Sequence, residues 1–286
     1  MNKVRHSTRL LTTAFTCLAS ISLQAHSASY LYSYLGYPYF IPSGSTPTFT
    51  SSMRISGHFS VPTRLDPGLS AVKIAPTSFS FNNGAETITE APGMSSSGFT
   101  VSTDESGQIH DWSISIADSI PADAEIGYRI QGMSTKPTKD YTYIGEFRGT
   151  SAGFNMIEII EQAETLGPGK WTVTTVLPID LTTGNQDDSV IDLKRDKTIK
   201  VTILTGTDFD ATQIDPATAH LGPADANPVH YQVKDVDHDG DADLILSFKT
   251  ADTGIAECDT EATLSGQTYS GELIQGTDTF TTAVCQ

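Results

Sequence analysis

Short strand-like runs separated by turn clusters are the feature that most constrains the fold of this chain. Tyr30, Tyr32 and Tyr34 alternate with other residues, which is the two-residue period of a β-strand. Turn clusters such as LDPG (65–68) and DESG (104–107) separate such runs. Further strand-like runs occupy residues 53–61, 71–81, 98–103, 109–117 and 141–147. Strands at this spacing favour a sandwich or a barrel, so we predict an all-β fold.

One segment departs from the strand pattern. Residues 154–166 (FNMIEIIEQAETL) place Met156, Ile159, Ile160 and Ala163 at helical spacing, and a Gly-Pro-Gly sequence at 167–169 follows them. We therefore expect one short helix near 154–166, packed against a sheet.

A second region begins near Val176 and is more acidic than the first. Residues 176–286 hold 20 acidic and 6 basic residues, and strand-like runs recur at 190–193, 198–204 and 243–248. We place a domain boundary around 174–177. The sequence thus predicts two β-sandwich-like domains, residues 29–175 and 176–286.

The N-terminus reads as a secretory signal peptide spanning residues 1–28. Lys3, Arg5 and Arg9 precede an uncharged apolar stretch from Leu10 to Leu23, and small residues follow it, so we expect cleavage within 25–28. The apolar run is short for a membrane anchor, and the residues before Cys17 resemble a lipobox poorly. The predicted location is secreted or cell surface, with no membrane span after removal of the peptide.

The charge balance excludes one class of partner. The chain has 34 acidic residues against 17 basic ones, a net charge of −17. Proteins that bind nucleic acid by neutralising phosphates need the opposite balance, so no nucleic-acid partner is expected. The partners that fit an exported acidic chain are extracellular polysaccharide or other surface proteins.

Residues 235–243 form the clearest candidate binding site. Five of these nine positions are aspartates in strict alternation, namely Asp235, Asp237, Asp239, Asp241 and Asp243. Calcium takes six to eight oxygen ligands, and alternate carboxylates of a tight loop can converge on one such ion. The competing interpretation is a solvated acidic turn. Calcium is the predicted cofactor, because five like charges repel one another without a cation.

The sequence does not decide which aspartate is the first ligand of the loop. If Asp235 is the first ligand, Gly240 permits the turn at position 6, Asp241 offers its carbonyl and Asp243 stands at position 9. A phase that starts at Asp237 uses the last four aspartates instead. Position 12 is Leu246 and not the bidentate Glu of a full EF-hand. The run DLILSF then predicts a strand after the loop.

Other polar residues near the loop have more ordinary interpretations. Asp208, Asp210 and Asp215 either complete the calcium shell or cap turns, and the turn role is favoured because Asp is common in turns. His238 lies inside the loop without a partner at ligand spacing, so we expect it to be exposed.

Two cysteines remain once the signal peptide is removed. Cys258 and Cys285 are an even pair in a chain predicted to be exported, which favours a disulfide. They are too few and too far apart in sequence for a zinc site.

No catalytic residue is assigned from the sequence. Residues 149–153 match G-x-S-x-G around Ser151, with His220 and His230 as partners in principle, but a hydrolase of that type needs repeated strand–helix units. Acidic pairs for glycoside hydrolysis, such as Glu146 with Glu158 or Glu161, are not tied together by any motif.

The tyrosine-rich start (30–40, YLYSYLGYPYF) also allows two interpretations. Tyrosine faces stack on sugars or partner surfaces. The favoured interpretation is a strand with its tyrosines partly buried, followed by a Gly-Pro turn.

Two resemblances add to these inferences. Residues 30–175, through TSFSFNNGAETIT, FTVSTDESGQIHDWSISI and LGPGKW, resemble a bacterial secreted β-rich domain found in proteins with a PEP-CTERM sorting tail. The Pro-Glu-Pro of that tail does not occur here, so no anchoring is implied. Residues 176–286 resemble a C-terminal module of large extracellular proteins of environmental bacteria, through VLPIDLTTGNQDDSVIDLKRDKTIKVTIL, FDATQIDPAT and DVDHDGDADLILSF. The resemblances imply export, β-architecture and calcium, but no mechanism.

The sequence therefore predicts an exported calcium-binding protein with a structural or adhesive role at the cell surface or in the extracellular matrix. The alternatives are a secreted hydrolase or lyase acting on polysaccharide or ester bonds, and a glycan-binding module. An enzyme would need a concave site with converging titratable groups, whereas a glycan binder would present an aromatic platform.

Overall fold

A computed structural model describes residues 27–40, 48–90, 95–151, 154–182 and 190–283 of the chain. These residues form 20 β-strands and three 3-10 helices of three residues each, at Ala211–Gln213, Pro216–Thr218 and Thr250–Asp252. The all-β prediction is confirmed. Among the described residues there is no helix with the length and apolar character needed to cross a membrane.

The strands are numbered in chain order. The first eleven are β1 (Ser29–Leu35), β2 (Ser56–Val61), β3 (Val72–Ile74), β4 (Ser78–Asn82), β5 (Thr87–Thr89), β6 (Ser95–Thr103), β7 (Ile109–Asp118), β8 (Arg129–Thr135), β9 (Asp140–Ser151), β10 (Phe154–Glu164) and β11 (Lys170–Val176). The others are β12 (Asp180–Thr182), β13 (Val190–Ile191), β14 (Thr198–Ile203), β15 (His220–Leu221), β16 (His230–Lys234), β17 (Asp243–Lys249), β18 (Glu261–Gln267), β19 (Leu273–Thr279) and β20 (Thr281–Thr282).

These strands assemble into four sheets. The largest has eight strands in the order β15-β18-β19-β11-β1-β2-β4-β5, and a second has six in the order β10-β9-β8-β7-β6-β3. A four-stranded sheet follows the order β12-β14-β17-β16, and β13 pairs with β20. Neighbours are antiparallel except for β11 with β19 and β13 with β20. Hairpins between sequence neighbours build most of the six-stranded sheet, which suits the short turns of this sequence.

An aromatic core fills the N-terminal region. The three tyrosines of β1 point inward and are at most 7 % exposed, as their two-residue alternation predicts. Tyr32 stacks on Phe59 with ring centroids 5.1 Å apart, and Trp171 lies 4.9 Å from Tyr34. The interpretation of this segment as a buried strand is confirmed for residues 29–35.

A single sheet continues across the predicted boundary at 174–177. Strand β11 pairs with β1 on one side and with β19, from the far end of the chain, on the other. The buried apolar residues nevertheless fall into two clusters, one that runs from Tyr30 to Val173 and one that contains Leu177 and later residues together with Ala28. The two regions thus have separate cores but a common backbone hydrogen-bond network.

The predicted helix at 154–166 is wrong, because these residues form edge strand β10, paired antiparallel with β9. Register shifts between Met156 and Ile157 and between Ile159 and Glu161 interrupt the ladder. Each bulge offsets the two-residue alternation by one position. Residues that face the core are therefore no longer always two positions apart. Ile160 and Ala163, which contact the core, are three positions apart, as they would be on one face of a helix.

Candidate metal centre

The acidic loop connects β16 to β17 in the four-stranded sheet. Strand β16 ends at Lys234, which pairs with Asp243 at the start of β17, so the loop forms the end of an antiparallel hairpin. The run after the loop is a strand as predicted, with Leu244 and Leu246 buried in the C-terminal core. The loop is therefore held at one end by buried strand β17 and at the other by exposed edge strand β16.

Three of the predicted ligands converge. One carboxylate oxygen from each of Asp235, Asp237 and Asp239 lies within 4.8 Å of the other two. The grouping corresponds to the loop phase that starts at Asp235. Three carboxylates at this separation create a local region of negative potential, and their hard oxygen donors suit calcium.

Hydrogen bonds to the aspartates shape the loop backbone. The two carboxylate oxygens of Asp235 accept from the backbone N–H groups of His238 at 2.6 Å and Gly240 at 3.3 Å. Asp239 Oδ1 accepts from the N–H of Asp241 at 2.9 Å. Gly240 has φ +105° and His238 has φ +65°, so the loop turns twice through the left-handed region. Glycine at position 240 is required because this conformation is unfavourable for most other residues.

The last two predicted ligands lie elsewhere. Asp243 is fully buried, and its carboxylate accepts from the N–H groups of Thr205 at 2.8 Å and Val236 at 2.7 Å. It therefore ties the base of the loop to the segment after β14. Asp241 is exposed and lies outside the group of three, but its N–H bond to Asp239 helps to close the turn.

Two of the three neighbouring aspartates cap turns. Asp210 precedes the first 3-10 helix and accepts from the N–H of Thr212, and Asp215 does the same for Ala217 in the second. Hydrogen bonds from Thr212, led by its hydroxyl, lower the pKa of Asp210. Asp208 offers its backbone carbonyl to Tyr30 Oη at 3.4 Å. His238 is exposed, as expected.

The predicted disulfide is described on one side only, since Cys285 lies outside the described residues. Cys258 N–H donates to Thr282 Oγ1 at 2.9 Å, and Phe280 N–H donates to the carbonyl of Thr260 at 2.9 Å. The segment around Cys258 therefore runs beside β20, three residues before Cys285 in the sequence.

The G-x-S-x-G match does not have the context of a nucleophile elbow. Ser151 ends β9 and is exposed, and it pairs with Phe154 at the start of β10, so the motif spans a β-hairpin. Its Ala152 and Gly153 lie outside the described residues. Glu146 and Glu158 both form ion pairs with Arg148, at 2.9 Å and 2.7 Å, on the outer part of the sheet. None of these groups forms a catalytic constellation.

Comparison with known proteins returns no match. No family model matches this chain, and no match was found among curated proteins or solved structures. The resemblances drawn from residues 30–175 and 176–286 therefore stay predictions.

Sequence reasoning missed a polar cavity in the N-terminal region. It has a volume of about 510 Å³ and is lined by residues that include Glu86, Asp118, Tyr128, Arg129 and Gln131. These come from the turn before β5, the end of β7 and the start of β8. No spacing rule links them, because Glu86 precedes a strand of the eight-stranded sheet and the others lie in or beside strands of the six-stranded sheet, so only the packing between sheets brings them together.

Proposed function

We propose that this chain is an exported structural or adhesive protein whose C-terminal region is stabilised by one calcium ion in the 235–243 loop. The observation that carries the proposal is the convergence of Asp235, Asp237 and Asp239 within 4.8 Å. Strand β17, which follows the loop, packs in the C-terminal hydrophobic core and anchors that end of the loop. Ion binding there would act on the stability of the whole hairpin.

The chemistry of the loop favours calcium over magnesium. Calcium accepts six to eight oxygens in flexible geometry, so three carboxylates can be supplemented by backbone carbonyls and water. Magnesium demands a tighter octahedron and releases its water reluctantly. Because the loop lacks a bidentate acid at position 12, we expect weak affinity, on the order of 10⁻⁴–10⁻³ M, as in extracellular modules.

Calcium is expected to raise the thermal stability of the mature full-length chain, and Asp237→Ala is expected to abolish the increase. At ten times the dissociation constant, binding to the native state contributes about 1.4 kcal/mol. In calcium-free buffer the variant should be as stable as the parent or slightly more stable, because one member of a repelling group is gone. Calorimetric titration together with thermal unfolding measures both effects.

Asp252→Ala is the matched control, since Asp252 is exposed in the third 3-10 helix, outside the loop. This variant should respond to calcium as the parent does. Absence of calcium binding by the parent, or an equal response in Asp237→Ala, would contradict the proposal. A loss of stability in Asp237→Ala without calcium, together with an undiminished response to calcium, would show that the residue acts only through its hydrogen bond to the Asp239 N–H.

A further inference from the structure

The cavity of the N-terminal region has the size and lining of a ligand site. Its volume of about 510 Å³ lies within the usual range for small-molecule pockets, roughly 300–1,000 Å³. Two acidic residues, Glu86 and Asp118, line it together with Arg129. Ile144, which is buried in β9, and Pro121 add apolar surface.

One residue holds both carboxylates in place. The side-chain amide of Gln131 donates to Glu86 Oε2, and its backbone N–H donates to Asp118 Oδ2 at 2.8 Å. Gln131 Oε1 in turn accepts from the amide of the fully buried Asn83 at 3.0 Å. The orientation of the acids is therefore set from the core outward before any ligand arrives, which lowers the entropy cost of binding.

Several polar atoms of this site have no protein partner. Within the described part of the chain, Glu86 Oε1 and Asp118 Oδ1 accept no hydrogen bond, and Arg129 forms no ion pair. Desolvation by burial raises the pKa of Asp118, with the N–H of Gln131 acting against it. A hydroxyl group of a ligand could therefore donate a hydrogen bond to the Asp118 carboxylate, in place of water contacts that the carboxylate has partly lost.

The mixed charge of the lining selects the ligand class. The two carboxylates repel an anion, and the guanidinium offsets part of the attraction that they would exert on a cation. A neutral polyhydroxyl compound suits both, because each hydroxyl donates to a carboxylate and also accepts from Arg129 or the Gln131 amide. Tyr128, which is 42 % exposed, offers an aromatic face for the C–H side of a ring. We propose that this cavity binds a neutral sugar residue of a saccharide chain.

The mature full-length chain should be tested on a glycan array that carries neutral hexose oligomers, polyuronates and oligomers of free amino sugars. Binding to neutral oligomers is expected, and calorimetry on those oligomers then gives the affinity. Asp118→Asn and Arg129→Gln should each weaken binding at least tenfold. Asp123→Asn is the matched control because it removes the same charge from an exposed residue outside the cavity lining, and it should bind as the parent does.

The experiment separates loss of sugar binding from loss of folding, and sugar binding from calcium binding. If Asp118→Asn lowers the unfolding temperature, the exposed Arg129→Gln alone decides the result. Binding should also persist in a calcium chelator, since the cavity and the 235–243 loop share no residue. Binding only to charged glycans, no binding to any glycan, or equal affinity in parent and Arg129→Gln would overturn the proposal.

Discussion

Asp140 is a carboxylate in the interior of the N-terminal core. It is fully buried at the start of β9, where its Oδ1 accepts from the Tyr34 hydroxyl at 2.5 Å. Its Oδ2 has no hydrogen-bond partner, and a Cβ at position 36 would overlap that atom, which accounts for Gly36. The titratable groups that face it are the phenols of Tyr34 and Tyr39, so no cation compensates its charge.

Protonation of Asp140 is expected to stabilise the native state. Desolvation by burial raises its pKa to about 6 from 3.8, while the hydroxyls of Tyr34 and Thr135 act in the opposite direction. Between these two values the native state binds more protons than the unfolded state. The contribution is therefore complete below about pH 4 and is lost as the pH rises through about 6. It amounts to about 3 kcal/mol at most.

Urea unfolding of the parent and of Asp140→Asn between pH 4 and pH 7 measures this effect. Asparagine keeps an acceptor for Tyr34 but does not ionise, so the variant should lose the part of the pH dependence that falls in this interval. Asp111→Asn, on an exposed position of β7, should retain the parent's profile. Parallel profiles for the parent and Asp140→Asn would show that Asp140 does not titrate there.

At the scale of the element, the strands that could be predicted are those whose alternation is uninterrupted. Strand β1, with Tyr30, Tyr32 and Tyr34 inward, follows this rule. Strand β17 could be predicted for another reason, because it is a short apolar run buried on both faces at its start. Strand β10 does not, because two bulges displace its inward residues and imitate a helical period. A bulge depends on the partner strand, and single-sequence periodicity contains no information about that partner.

The acidic loop was likewise only partly predictable from local sequence. Alternation of aspartates indicated a metal loop, and the hairpin brings the first three together. The pattern gave no sign that Asp243 would be used by the backbone N–H groups of Thr205 and Val236. Thr205 lies after β14, so this contact depends on the sheet pairing of β14 with β17, a long-range feature.

A disulfide between Cys258 and Cys285 is expected to fasten the segment after β20. The pair spans 27 residues of sequence, for which the chain-entropy model gives about 3.5 kcal/mol. Cys258→Ser should lower the free energy of unfolding by a similar amount, and dithiothreitol should destabilise the parent but not the variant. Peptide mapping without reduction identifies the linked peptides. Two free thiols in the protein purified without a reductant would refute the pairing.

At the scale of the whole molecule, the common sheet couples regions that the sequence separates. The change in charge near residue 176 indicated two domains, and the two hydrophobic clusters follow that division. The parallel pairing of β11 with β19 joins residues 174–176 to 273–275, a contact that no local pattern encodes. Glu272 reinforces it by accepting from Arg64 at 2.7 Å and from Thr175 Oγ1 at 2.9 Å.

We therefore expect the mature chain to unfold in one calorimetric transition. Glu272→Ala should lower the temperature of that transition, because it leaves Arg64 and the buried Thr175 hydroxyl without their common acceptor. The free energy of unfolding should fall by about 1 kcal/mol, as expected for a partly exposed ion pair with one further hydrogen bond. Glu257→Ala, at an exposed ion pair with Lys194, is the control and should have little effect. Two well-separated transitions in the parent would show that the cores unfold independently.

The aromatic core also determines the tryptophan fluorescence and near-ultraviolet circular dichroism of this protein. Both tryptophans of the chain, Trp112 and Trp171, lie in the N-terminal core, with ring centroids 6.0 Å apart at 82°. Indole emission therefore originates from one region only, because neither tryptophan belongs to the C-terminal core that contains the strand after the 235–243 loop. Coupled transitions of two indoles so close together should give a paired signal in circular dichroism. That signal would disappear when the aromatic core loosens, even if the C-terminal strands remained folded.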